Sequence, residues 1–273
     1  MKTLLRIIID GPRDPWLNMA IDEAIMIHRP YYNFDTLRIY MWLPSGVSIG
    51  RRQVTYQTVN MEEIKKHGFK LVRRVTGGGA ILHQENAELT YSVVLSRDHE
   101  IYQMDIINSA TEIAKGIVNT LEILGVKAQT GTTQNAAEEQ NLCYLRNAQS
   151  DIIVNNKKIS GNAQRRESYA LLQHGTLLLD FHPEIWLKVI KTSNTTSEQL
   201  QQKIISLKNI LDVINTKKII KAMVQGFIQI LNPARVFNST LTEEELETAN
   251  TLYYNKYSTE TWNVKGTILT TIA

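Results

Sequence analysis

Apolar and polar positions alternate between strand-like and helical spacing along the chain. Residues 4–9 form a short apolar run interrupted by Arg6, which predicts a first strand, turned by Asp10-Gly11-Pro12. Asp14 and Pro15 then supply an N-cap and a proline at the first helical position. Leu17, Ala20, Ile21, Ala24 and Ile25 follow at three- and four-residue spacing, the apolar face of a helix. Residues 37–42 alternate as a strand, Pro44-Ser45-Gly46 turns the chain, and 47–49 is a second short strand. Asn60 caps a helix over 61–67 that Gly68 stops. Strands are expected at 70–74, 80–83, 88–95 and 170–179, and a long helix at 105–124. Residues 150–154 and 157–160 read as a hairpin across Asn155-Asn156, a pair that tolerates positive φ. Helices follow at 183–191, 216–231 and 242–257, the last opened by Thr242-Glu243-Glu244-Glu245. Two polar stretches, 129–142 and 192–203, are expected to be exposed loops, the first the most mobile. The pattern predicts an α/β (α+β) fold, with largely antiparallel sheets up to about residue 180 and helices beyond.

Composition narrows the function classes. With 43% hydrophobic and 21% charged residues over 273 positions, the chain has the make-up of a soluble globular protein. A net charge of +3 is too small to argue for nucleic acid. The six histidines show no metal-ligand spacing, and the single cysteine excludes an internal disulfide and the usual structural zinc sets. No run reaches membrane-spanning length and the N-terminal run is too short for a signal peptide, so a cytoplasmic location is expected.

Candidate chemistry gathers around that cysteine. Cys143 precedes Lys157-Lys158 and the small-residue turn Ile159-Ser160-Gly161-Asn162-Ala163. A thiol attacks a carbonyl as the thiolate, which a neighbouring ammonium favours. The plain alternative is a buried, inert cysteine beside solvated lysines. Strand alternation sends Lys157 and Lys158 to opposite faces, so one of them can face the cysteine. Arg73-Arg74-Val75-Thr76-Gly77-Gly78-Gly79-Ala80 joins two strands; its glycines allow close approach to a ligand, or simply a hairpin. Of Arg73 and Arg74, one can point to a site and the other away. His83 and His174 each read as ligand-positioning or as satisfied core histidines, with Leu172 and Thr176 on the face of His174.

Taken together, these residues resemble the lipoate-protein ligase and octanoyltransferase family, whose catalytic domain is similar to that of biotin protein ligases. The resemblance is carried by Trp16 with residues 17–24, by 38–52, 73–92 and 158–176, and by 256–263, nearly the whole chain. It implies one catalytic domain over 1–263, a tail over 264–273, and no accessory C-terminal ligase domain. It also implies transfer of an octanoyl or lipoyl chain to a lysine of a lipoyl domain, on the glycine cleavage H protein or a 2-oxoacid dehydrogenase E2. Within the family, the cysteine-dependent octanoyltransferase branch takes the chain from acyl carrier protein and needs no nucleotide. Its nucleophile stands eight residues before an acid, as Cys143 does before Asp151. The resemblance makes Cys143 and Lys158 catalytic, and Arg73, Gly77, Gly78, Gly79, Ala80, His83, Gly161, Asn162, Ala163 and His174 substrate-binding.

One feature leans toward the other branch, ligases that use ATP and Mg and would here need a separate small subunit, and a second fits neither branch. Gly77-Gly78-Gly79-Ala80 is the ligase-like form, and Gln84 stands where both groups usually carry an acid. A non-catalytic lipoyl-binding relative is the third reading. Retention of both Cys143 and Lys158 argues against it.

Overall fold

The computed structural model describes residues 3–132, 142, 144 and 148–267. Eleven strands among them form two sheets. The larger has the order β11-β1-β2-β6-β10-β9-β8-β7: Arg235–Asn238, Leu4–Arg13, Phe34–Trp42, Glu88–Ser96, Ala170–Leu178, Lys157–Arg166, Ile152–Val154 and Gln129–Thr130. The smaller is β4-β3-β5: Lys70–Arg73, Gly46–Ile49 and Ile81–His83. The class matches the α/β expectation. Pairing is antiparallel through β2, β6, β10, β9, β8 and β7, while β1 runs parallel to both β2 and β11, and β3 parallel to β4.

Helices cover both faces of the larger sheet, so every position of β6 and β10 is buried. Leu171 and Leu177 of β10 join one core with α5 (Ile106–Ile123) and α8 (Thr216–Leu231). Ala170 and Leu172, on the opposite face, join another with α1 (Pro15–His28) and α9 (Glu243–Leu252). Further along that second face the strand presents His174 and Thr176 in place of apolar side chains. A polar stretch between two packed helical layers is costly unless each group is bonded, which marks this end of β10 as built for something.

The hairpin at Asn155-Asn156 forms as expected, both residues at positive φ (49° and 61°). Three expectations change. The polar stretch 192–203 is no simple loop: Ser197–Lys203 is a helix, α7, opened by a Thr196–Gln199 capping box and anchored by buried Leu200. Asp10-Gly11-Pro12 does not end β1, which runs to Arg13 across a register shift. Gln129–Thr130 adds a strand, whereas residues 133–141 of the expected loop lie outside the described residues. No described helix is long and apolar enough to cross a membrane.

Candidate functional site

A narrow pocket lies where that polar end of β10 meets the smaller sheet, with a cavity volume of about 20 Å³. Tyr40, Trp42 and Ile81 form an apolar wall, and Gly161, Asn162 and Ala163 of β9 face it with little side chain. Gly175 is required by tight packing on the opposite face of β10. A Cβ there would meet the Tyr91 ring, the Asn162 Cβ and the Gly161 carbonyl, each at 2.8 Å. Of the sequence candidates, His83, Gly161, Asn162, Ala163 and His174 line this slot.

The two arginines separate as strand alternation requires, and the one facing the slot is Arg74. Arg74 donates to the Ser48 hydroxyl at 2.6 Å and to the Gly77 and Gly79 carbonyls at 2.9 Å each. It therefore holds the glycine turn in shape. Arg73, the residue singled out in the sequence, points away. Its guanidinium is bonded to the carbonyls of Gly50, Arg51, Gln53, Trp262, Asn263 and Val264, tying the C-terminal segment to the 50–53 turn. Gly77 and Gly78 line a broader groove beyond the turn, and Ala80 is buried beside Leu142.

The turn is tight where it meets β3. A Cβ on Gly50 would stand 2.1 Å from the Gly78 carbonyl oxygen, whereas Gly77 has nothing within 4 Å of its own. Gly50→Ala is expected to cost about 1–3 kcal/mol of stability, and Gly77→Ala no more than about 0.5. Paired urea unfolding curves check this; equal losses would mean the close approach is not maintained in solution.

Both histidines are held by side chains. His83 Nε2 lies 2.7 Å from Ser48 Oγ and its Nδ1 2.7 Å from Glu88, with the ring stacked on Trp42 at 3.8 Å. The partners of His174 are the Thr76 hydroxyl (2.8 Å) and the Asp22 carboxylate (3.2 Å). Burial pushes the His174 imidazole below its ordinary value, and the Asp22 bond offsets only part of that. Burial raises Asp22 in turn, but His174 and the Arg38 guanidinium outweigh it and hold the carboxyl low. The pair is therefore a neutral imidazole donating to a carboxylate.

The sign of its pH dependence follows. An imidazole depressed on folding contributes stability that is present above its unfolded value of about 6.5 and lost as pH falls through the lower folded value. The urea midpoint should fall between pH 7 and pH 5, and fall less in His174→Gln. An equal fall in both proteins would remove His174 as the cause.

Beyond Thr176 the site reaches the second lysine. Lys158 is 3% exposed and pairs with Asp151 at 2.8 Å, while Lys157 on the opposite face donates to the Gln201 carbonyl. Burial lifts the Asp151 carboxyl above its ordinary value, and the Lys158 charge and hydrogen bond only partly counter this. The Lys158 ammonium also sits 5.0 Å from the Tyr144 ring centroid. The Tyr144 hydroxyl lies 2.9 Å from Thr176 Oγ1, and Leu142 pairs with Ala80. Both chain neighbours of position 143 are thus packed against the site, although Cys143 itself lies outside the described residues. Among the described residues no group of three or more His, Cys, Asp or Glu could hold a metal ion.

The family model for the lipoyl protein ligase A/B catalytic domain matches residues 14–228. The chain belongs to that family. A lipoyl protein ligase A/B relative from Brevibacillus brevis, named octanoyltransferase LipM, is 31% identical over 95% of this chain and 98% of its own length. Seven further curated relatives, 29–33% identical, carry the same name. Among solved structures of the family, a lipoate-protein ligase A bound with ATP is 30% identical (TM-score 0.81, 98% of this chain and 100% of that one). The bi-partite lipoate protein ligase of Thermoplasma acidophilum, described with its E2 lipoyl domain, is 27% identical (TM-score 0.82, 100% of both chains).

Proposed function

We propose that this protein is a cytoplasmic octanoyltransferase of protein lipoylation that carries the acyl chain as a thioester on Cys143. The observation that carries the reading is the buried Lys158–Asp151 pair beside Tyr144, the neighbour of Cys143, at the end of an apolar slot. The relatives named octanoyltransferase LipM support the same choice.

In the first step the Cys143 thiolate, favoured by the Lys158 ammonium, attacks the thioester carbonyl of octanoyl-acyl carrier protein. A C–S bond forms to the enzyme, the bond to the carrier breaks, and the carrier thiolate leaves with a proton given by the Lys158 ammonium, which becomes the neutral amine. The octanoyl chain enters the slot, which at about 20 Å³ must widen to take it, and each methylene then buried contributes about 0.8 kcal/mol to chain-length preference. In the second step the ε-amine of a lipoyl-domain lysine, its proton taken up through Lys158, attacks the enzyme thioester. An amide forms and Cys143 departs as thiolate. Thioester to amide runs downhill, so no nucleotide enters. Past Ser160, β9 is paired on one edge by β10 only, so alternate N–H groups around Gly161-Asn162 point outward as candidates to hold the oxyanion. Gly78 and Gly79 are the second candidates.

Asp151 fixes the Lys158 ammonium toward the thiol. His83, His174 and Arg74 shape the slot, and Ala80 and Ala163 leave room for the chain. Arg73 serves binding indirectly, by holding the turn that carries Arg51 and Arg52. Acceptors are the glycine cleavage H protein or 2-oxoacid dehydrogenase E2 lipoyl domains.

A second reading, an ATP- and Mg-dependent ligase working with a separate small subunit, is favoured by the Gly77-Gly78-Gly79-Ala80 form and by the ATP-bound relative. Transfer to an apo-lipoyl domain separates the two. The transferase uses octanoyl-carrier protein without nucleotide; activity confined to free octanoate or lipoate with ATP would establish the ligase instead.

A further inference from the structure

On the far side of the glycine turn from the slot lies an open groove with a cavity volume of about 770 Å³. Arg51 and Arg52 line one bank and Arg165 the other, with Gln53, Gln57 and Gln164 between them; no Asp or Glu among the described residues lines it. Arg52 is exposed and has no ion-pair partner among the described residues. Arg51 lies over the Trp262 ring at 5.8 Å, and Arg165 donates to the Val75 carbonyl at 3.2 Å and pairs with Glu167. The turn separating groove from slot is thin. A Cβ on Gly78, which lines the groove, would stand 3.4 Å from Arg74 and 3.7 Å from Ala163, both of which line the slot.

One ligand in the proposed reaction has chemistry for both compartments. The carrier protein presents its acyl thioester on a phosphopantetheine arm: an apolar chain, two amides, then a phosphate diester. We propose that this groove is the seat of the arm, with Arg51, Arg52 and Arg165 taking the phosphate while the octanoyl chain enters the slot. Guanidinium forks match phosphate oxygens. The inference rests on the transferase reading. A nucleotide would bring the same phosphate chemistry, and the test separates the two sources.

The test compares octanoyl-4′-phosphopantetheine with octanoyl-pantetheine, which lacks the phosphate, as soluble acyl donors to the full-length enzyme. The wild-type KM for the phosphorylated donor should be lower by about tenfold, equivalent to roughly 1.4 kcal/mol. That ratio should shrink toward one in Arg52→Gln and in Arg51→Gln, recover in part in Arg52→Lys, and shrink in wild type at high salt. Equal KM values for both donors in wild type would overturn the proposal while leaving the transferase reading in place. So would a ratio that neither substitution changes, or a KM raised equally for both donors. Turnover of neither donor, alongside ATP-dependent use of free octanoate whose KM for ATP rises in Arg52→Gln, would overturn both and give the groove to a nucleotide.

Discussion

Cys143→Ala should abolish acyl transfer to a lipoyl domain and leave the fold intact. Removing a covalent nucleophile is expected to slow turnover by about 10³-fold or more, because no other group can form the thioester. The chain has one cysteine, so no second thiol can substitute. Transfer and the covalent adduct should vanish together, while urea unfolding stays within about 1 kcal/mol of wild type. Full activity of Cys143→Ala with free lipoate and ATP would replace the transferase with the ligase.

Lys158 carries the second large effect, and there catalysis must be separated from packing. Lys158→Ala leaves the Asp151 carboxylate buried without its ammonium, a loss of about 3–5 kcal/mol in stability. Activity should fall by about 10²-fold or more through loss of the charge and of proton transfer. The double variant Lys158→Met, Asp151→Leu removes both charges and should regain most of the stability. It should regain none of the activity. Recovery of both would make the pair purely structural. A second readout is alkylation by iodoacetamide across pH: Lys158→Met should move the profile to higher pH as the thiolate loses its neighbour. Lys157→Ala, on the opposite face, should leave profile and rate within about twofold, as expected for a surface substitution.

The elements legible in the sequence are those with local physical signatures. Asn155-Asn156 could be read as a hairpin turn because asparagine tolerates positive φ, and Asp14-Pro15 as a helix start because cap and proline act within one turn. The separation of Lys157 from Lys158 follows from strand alternation alone. Alternation does not say which face is which, however, and at Arg73-Arg74 that choice is made by residues 262–264, nearly 190 positions away, docking on Arg73. Asp22 escaped notice for a related reason. It lies on the buried face of α1, and its charge is met by Arg38 from β2 and by His174 from β10. Helix α7 was hidden by its Ser/Thr/Gln composition, yet Thr196 with Gln199 three residues later was a visible capping signal. Strand β11 has four residues and, among the described residues, pairs with β1 alone, too short a pattern to stand out.

The transferase account makes one chemical claim above the rest, that Cys143 holds the octanoyl group between donor and acceptor. Mass spectrometry of the intact wild-type protein, mixed with octanoyl-acyl carrier protein and no nucleotide, reads this directly. The account predicts a mass gain of one octanoyl group, localised to the peptide containing Cys143, and its discharge on adding an apo-lipoyl domain. An unmodified enzyme that nonetheless octanoylates the lipoyl domain, or an adduct on any other residue, would contradict it.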